Sequence, residues 1–466
     1  MLSAHPIVAK LRKPAALTTI LLFVFLLYLP CIKYGLVWDD VRQILFNPRL
    51  TAWSYVPGYF TSDVWAHEPS LPHHYYRPLF LVWLRLSSAV LGPPREIWHL
   101  PSILAHVGVT LCVFLLLLRL VKNFKGAALG AALFAIHPIQ TETVAWISAS
   151  GDLLLTIFFT LSVYFFVVRK HQISWVSVAL ATAAMFTKET GITIVAVIFV
   201  YEWLHTRFKD AALRTSPYFA SALLFLAFRG NAIENSGPAT APNMPLSAVI
   251  LGWPRMLAEY GLHLVWPVHL SPVYAAPAEP AFWPFPLFII ATGAFIWALL
   301  KCSRNVQFGA AWFAITLAPT LILPYVVNDY IHNRYLYLPS IGLALIAADW
   351  LARLRFTVLR SVAVAFVAAV LCWGTCVALP IWRDNVALFS RAIETAPESP
   401  EVMVSLATAY MKVHREADAY PLFKKLIERF PDLPVANYDM GRYYLQIGDR
   451  SQSEYYFAIG DRLAGK

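Results

Sequence analysis

Ala15-Ala-Leu-Thr-Thr-Ile-Leu-Leu-Phe-Val-Phe-Leu-Leu-Tyr-Leu-Pro-Cys-Ile32 follows Lys10, Arg12 and Lys13 and runs directly into Gly35-Leu-Val-Trp-Asp-Asp-Val-Arg42. Eighteen residues without a charge are long enough to enter a bilayer as a helix. The run ends in Leu-Pro-Cys-Ile-Lys rather than in small residues at a cleavage site, so it reads as a retained first span with its basic flank in the cytoplasm. Two adjacent carboxylates, Asp39 and Asp40, then emerge at its outer end.

The rest of the chain repeats the first part of this pattern. Of 466 residues, 59% are hydrophobic, 15% aromatic and only 14% charged, with a mean hydropathy of +0.58. Soluble chains carry about 25% charged residues. A soluble enzyme and a soluble domain on a single anchor are both excluded. The fold class expected is all-α, a polytopic membrane bundle. Further spans are expected at 97–119, 126–138, 151–168, 173–187, 190–205, 215–229, 285–301, 307–327, 335–352 and 361–380, eleven with the first; 173–187 and 190–205 read as a broken pair. Segments 78–92 and 246–266, with Arg85 and with Arg255 and Glu259, read as interfacial helices.

Threading these spans with the N-terminus inside gathers sixteen Lys and Arg residues into six short loops on one side. The other side receives ten before residue 380, spread over long loops that include 33–96 and 230–284. The asymmetry fixes the expected topology: N-terminus cytoplasmic, C-terminus extracytoplasmic. It also accounts for the net charge of +10 without nucleic acid. The five cysteines lie in or beside apolar segments and show neither a disulfide framework nor zinc spacing.

After residue 380 the composition changes, and 86 residues hold eleven Lys and Arg against twelve Asp and Glu. Phe389, Phe423 and Phe457 recur at 34 residues, as do Pro397 and Pro431, Tyr410 and Tyr444, and the small residues Ala407 and Gly441. That is the period of tetratricopeptide repeats. Two domains are therefore expected, 1–380 in the membrane and 381–466 soluble.

Polar clusters gather at the outer face. They are Asp39-Asp40, Tyr75-Tyr-Arg-Pro78, His137-Pro-Ile-Gln-Thr-Glu142, Asp152, Thr187-Lys-Glu-Thr190 and Asn328-Asp-Tyr-Ile-His-Asn-Arg-Tyr-Leu-Tyr-Leu-Pro339. Each alone reads as a snorkelling helix end with aromatic anchors, and the aspartates alone as a solvated loop pair. A pocket on one face explains them together, because charge near the membrane is costly. A carboxylate there can act as a general base on a hydroxyl, and a guanidinium such as Arg334 can hold two phosphate oxygens at once.

Trp-Asp-Asp-x-Arg, Tyr-Arg-Pro, Phe134-Ala-Ile-His-Pro-Ile-Gln-Thr-Glu-Thr-Val-Ala-Trp146, Lys-Glu-Thr-Gly191, Leu270-Ser-Pro272 and Arg334-Tyr-Leu-Tyr-Leu-Pro-Ser-Ile-Gly342 come in this order before the repeats. In that order they resemble the transmembrane and tetratricopeptide-repeat O-mannosyltransferases, glycosyltransferases of the C superfamily (GT-C). The resemblance implies an inverting enzyme that moves a sugar, mannose or another hexose, from a polyprenyl or dolichyl phosphate to a hydroxyl on a protein or glycan outside the cytoplasm. It assigns the catalytic base to Asp39, with Asp40 as second choice. Donor phosphate is expected at Arg334, Lys188, His332, Asn333 and Arg77, and sugar or acceptor at Arg42, His137, Glu142, Asp152 and Glu189. No cofactor is expected and no cluster demands a metal, since the leaving phosphate already carries its charge. The bilayer is a partner, and the repeats are expected to recruit a protein. The sequence departs from the family at Gln140, often His in relatives, and in its short repeat array. The absence of an Asn-x-Ser/Thr sequon favours a bacterial inner membrane over the endoplasmic reticulum. The competing readings are an oligosaccharide ligase of the same superfamily and a non-catalytic scaffold presenting the repeats. A lipid-linked-sugar transporter would show inverted halves, which the spans lack.

Overall fold

A computed structural model describes residues 6–68, 75–169, 172–234, 245–275, 284–326, 330–355 and 357–465. Residues 235–244 and 276–283 of the long segment 230–284, residues 69–74 of 33–96, residue 327 of 307–327, and Asn328 and Asp329 of the outer polar cluster lie outside the described residues. Among the described residues every regular element is helical. Two compact units are present. The larger takes most of the chain up to Leu379, and the smaller takes Pro380–Lys466 together with Ser271–Ala278 and Tyr330–His332.

All eleven expected spans are helical, but they are not equal. Among the described residues six helices are long and apolar enough to cross a membrane: Lys13–Lys33, Glu96–Val121, Ile147–Val168, Phe208–Glu234, Arg304–Tyr325 and Val358–Trp382. The chain is a multi-pass membrane protein. The other five segments form Phe124–Ala135, Trp175–Thr187, Ile194–His205, Pro284–Leu299 and Ser340–Arg353, of 12 to 16 residues. At about 1.5 Å per residue these span at most roughly 24 Å of a hydrocarbon core about 30 Å thick. Four of these helices bury residues against the rest of the unit, whereas Pro284–Leu299 buries none.

Glycine permits the closest of these packings. A Cβ on Gly342 would lie 2.2 Å from the Gly309 carbonyl oxygen, so Ser340–Arg353 and Arg304–Leu317 cross backbone to backbone. Gly126 and Gly130 bring Phe124–Ala135 equally close to the other side of Ser340–Arg353, against Ala348 and Ala344. The expected break after 187 falls at Lys188, whose backbone is extended before a short 3₁₀ turn over Glu189–Thr193. Gly191 makes that turn possible, because a Cβ there would meet the Ala184 carbonyl at 2.5 Å. The segments read as interfacial become the helices Pro78–Leu91 and Leu246–Val265.

In the smaller unit, five helices follow one another: Asn385–Thr395, Pro400–Lys412, Glu416–Arg429, Pro434–Gln446 and Arg450–Leu463. The residues in 34-residue register supply their contacts. Phe389, Phe423 and Ala407 are buried, and Gly441 leaves room for the Phe457 ring, which an added Cβ would meet at 2.8 Å.

Candidate functional site

The larger unit contains a cavity of about 100 Å³ lined by Asp39, Gln43, Trp65, Tyr75, Arg77, Trp146, Ser148, Ala149, Asp152, Lys188, Arg334 and Tyr335. All of these come from loops and helix ends. Loops can bring distant residues together only where a rigid scaffold holds them, and here the scaffold is the helices on either side.

Three cations face this space, and each is held in the same way. Arg77 Nε donates to Glu189 at 3.0 Å and its guanidinium lies 4.5 Å from the centre of the Tyr75 ring. Lys188 Nζ donates to both oxygens of Asp152 at 2.7 Å and lies 5.6 Å from the Tyr335 ring. Arg334 Nη1 donates to Glu142 at 2.7 Å, with its guanidinium over Trp146 and Tyr335 at 5.0 and 4.7 Å. A carboxylate and an aromatic face together fix where a cation sits. Glu142 and Glu189 do not line the cavity. They grip their guanidinium groups from outside it, Glu142 also accepting the Asn333 N–H at 3.0 Å and Glu189 the Tyr76 N–H at 2.8 Å. Among the described residues the lining carries three cations and two carboxylates, Asp39 and Asp152, with Glu142 and Glu189 paired to two of the cations beside it. Burial pushes the Lys188 pKa down; Asp152 pulls it back up, while Arg77 and Arg334 push it further down. Arg77 loses by burial too, but Glu189 reverses the direction and its pKa rises.

Asp39 and Asp40 have different surroundings. Asp39 lines the cavity. Asp40 is fully buried and accepts from Ser148 N–H at 2.8 Å, Ser148 Oγ at 2.6 Å and Val37 N–H at 3.3 Å. Burial raises its carboxyl pKa to about 7, against the lowering effect of those hydrogen bonds. Trp38, just before the pair, has φ of 52°, the left-handed region that a bulky side chain avoids. Its ring stacks on Trp146 at 5.0 Å and 12°. The Asp40–Ser148 bonds and this stack hold a strained turn against the segment carrying Trp146, so that Asp39 faces the cavity. Strain kept in this way is characteristic of functional turns.

Of the residues expected at the site, Asp39, Arg77, Asp152, Lys188 and Arg334 meet in the cavity. Glu142 and Glu189, expected to bind sugar, hold the cations Arg334 and Arg77. His137 is occupied structurally: Nε2 faces the Leu264 carbonyl at 3.0 Å and Nδ1 accepts the Ile139 N–H, capping a turn. Arg42 is not part of the lining, and His332 falls in the smaller unit. Asn333 gives its backbone N–H to Glu142. The sequence reading missed Gln43, Trp65, Ser148 and Ala149 as lining residues. No spacing marks them, whereas Tyr75, Trp146 and Tyr335 belong to the motifs quoted above. Among the described residues no group of three His, Cys, Asp or Glu could hold a metal ion.

A multi-pass membrane protein with a cation-rich, ring-lined cavity is the class that fold and site define. No family model matches the sequence. The chain is similar over most of its length to the animal protein O-mannosyl-transferases. Protein O-mannosyl-transferase TMTC1 of Homo sapiens is 25% identical over 86% of this chain and 54% of that protein. TMTC3 of Mus musculus is 23% identical over 92% and 52%. TMTC3 of Homo sapiens reaches 32% over 36% of this chain and 19% of its own. The chain spans about half the length of the curated relatives it matches most extensively. The solved oligosaccharyltransferase of Archaeoglobus fulgidus aligns over 94% of this chain and 57% of its own, with a TM-score of 0.29 and 14% identity, too slight a likeness to argue from.

Proposed function

We propose that the chain is an inverting glycosyltransferase that takes a hexose, mannose by analogy with its relatives, from a polyprenyl or dolichyl phosphate and places it on a hydroxyl outside the cytoplasm. The observation that carries this reading is the set of three fixed cations around one cavity that also presents Asp39. Arg77, Lys188 and Arg334 receive the donor phosphate, their carboxylate and ring partners fixing where each cation sits. Asp39 takes the proton of the acceptor hydroxyl as its oxygen bonds to the anomeric carbon. The bond from that carbon to the phosphate oxygen breaks, and the lipid phosphate leaves with the electron pair. Trp65 and Tyr75 line the cavity and offer ring surfaces against which the sugar packs. The cavity and the C-terminal unit both lie on the extracytoplasmic side, where a protein or glycan acceptor is met. A bacterial inner membrane is the favoured location, and the C-terminal helices act as tetratricopeptide repeats that bind a protein partner.

Binding of a polyprenyl phosphate to purified protein tests the phosphate assignment. Arg334→Lys keeps a charge but loses the planar fork, and binding should weaken on the order of tenfold or more. A Lys variant that binds as tightly as wild type removes Arg334 from the phosphate site. For the base, Asp39→Asn should leave that binding intact and lower hexose transfer from polyprenyl phosphate mannose about a hundredfold or more. Equal losses in binding and rate would make Asp39 structural.

A further inference from the structure

The carbonyl end of the helix Phe124–Ala135 lies in the membrane-embedded unit, where orphan carbonyls need partners. It finds them in side chains from elsewhere. The Phe134 oxygen accepts from Gln140 Nε2 at 3.1 Å, the Ala135 oxygen from Tyr28 at 3.2 Å and His106 Nε2 at 3.0 Å, and the Ile136 oxygen from Thr375 at 2.7 Å. These contacts settle the tautomer of His106. A carbonyl only accepts, so Nε2 carries the proton and Nδ1 is the acceptor. The Tyr337 hydroxyl, 2.6 Å away, therefore donates to Nδ1.

Tyr337 links this network to the cavity. Its N–H bonds the Arg334 carbonyl at 3.1 Å, closing the turn Asn333–Leu336. Its carbonyl accepts from Ser340 Oγ at 2.8 Å, and that oxygen accepts from Gln140 Nε2 at 3.2 Å. His106, Gln140 and Tyr337 are all completely buried. The turn is thus held at both ends: at Asn333 by Glu142, and at Tyr337 by His106. A phenylalanine facing an apolar side chain would fill the same space without a polar network to satisfy.

We propose that His106, acting through the hydroxyl of Tyr337, is a positioning residue that sets the guanidinium of Arg334 at the cavity. The proposal rests on the reading of Arg334 as a phosphate ligand. Gln140 joins the same linkage through Ser340. Removing the Tyr337 hydroxyl releases one end of the Arg334 turn and leaves His106 Nδ1 buried without its donor.

The test is Tyr337→Phe, which keeps the ring and loses one oxygen, in full-length protein in nanodiscs, with undecaprenyl phosphate as probe. Binding should weaken roughly tenfold in the wild-type background, and Tyr337→Phe should add little to Arg334→Lys, because the fork it orients is already gone. A full additional loss on top of Arg334→Lys would overturn the proposal. Hydrogen exchange supplies a readout that needs no lipid. Tyr337→Phe should speed exchange over residues 333–336 and leave 385–463 unchanged; unchanged exchange over 333–336 overturns the positioning role. If wild-type protein fails to bind undecaprenyl phosphate while the exchange result holds, the phosphate reading falls and the Tyr337 linkage stands.

Discussion

Two ion pairs at the cavity and two in the C-terminal helices use the same residue types in opposite surroundings. Arg334 with Glu142 and Lys188 with Asp152 keep at most 13% of any side chain exposed. Arg415 with Asp418 and Lys424 with Glu428 are at least half exposed. Water screens the second set, so its pairs are interchangeable and contribute little. In the first set neither member can lose its partner without leaving a desolvated charge. Charge in the C-terminal helices keeps a surface soluble, whereas charge at the cavity is held in place.

The sharpest way to break this comparison is Glu142→Gln. It removes the charge of a buried carboxylate that both Arg334 and the Asn333 N–H bond, and the cost should be on the order of 3–5 kcal/mol, read as a lowered melting temperature in detergent. A melt indistinguishable from wild type would mean the buried pair behaves like an exposed one. Asp40 sharpens the comparison next, as a buried carboxyl held by hydrogen bonds. Its ordinary pKa is 3.8 and the folded value about 7. The folded state therefore favours the neutral carboxyl, and this contribution is complete below the lower value and lost as pH rises to about 7. Wild-type stability should decline across that window relative to Asp40→Asn, which cannot ionise; parallel profiles would place the titration of Asp40 elsewhere. Lys424→Ala should give the smallest effect, a few tenths of a kcal/mol at most by thermal melt.

How much of this was legible depended on the kind of signal. Apolar runs are long-wavelength features, so each expected span is found as a helix, Phe124–Ala135 and Trp175–Thr187 included. Whether such a helix reaches across the bilayer depends on where it is interrupted, and the extended backbone at Lys188 is set by packing of Gly191 on Ala184. Charged residues at helix ends were visible, and five of them converge on one cavity. Which side of a guanidinium a carboxylate occupies was not visible. Glu142 and Asp152 look alike in sequence, yet one stands outside the cavity and the other lines it. Trp65 and Ser148 carried no signal, because a ring or a hydroxyl becomes part of a site only when a distant loop folds over it.

The bond from Thr375 to the Ile136 carbonyl joins positions 239 residues apart. It imposes an order of events on synthesis. The segment that carries Gln140 and Glu142 emerges early, but the hydroxyl that caps the carbonyl before it arrives only with the helix Val358–Ala378, and Arg334 reaches Glu142 from 192 residues downstream. During that interval a nascent chain holds an unsealed helix end and an unneutralised glutamate in the translocation machinery. A chain stalled before Val358 should therefore be cut by protease near residues 136–145, and release of the stall should close that site.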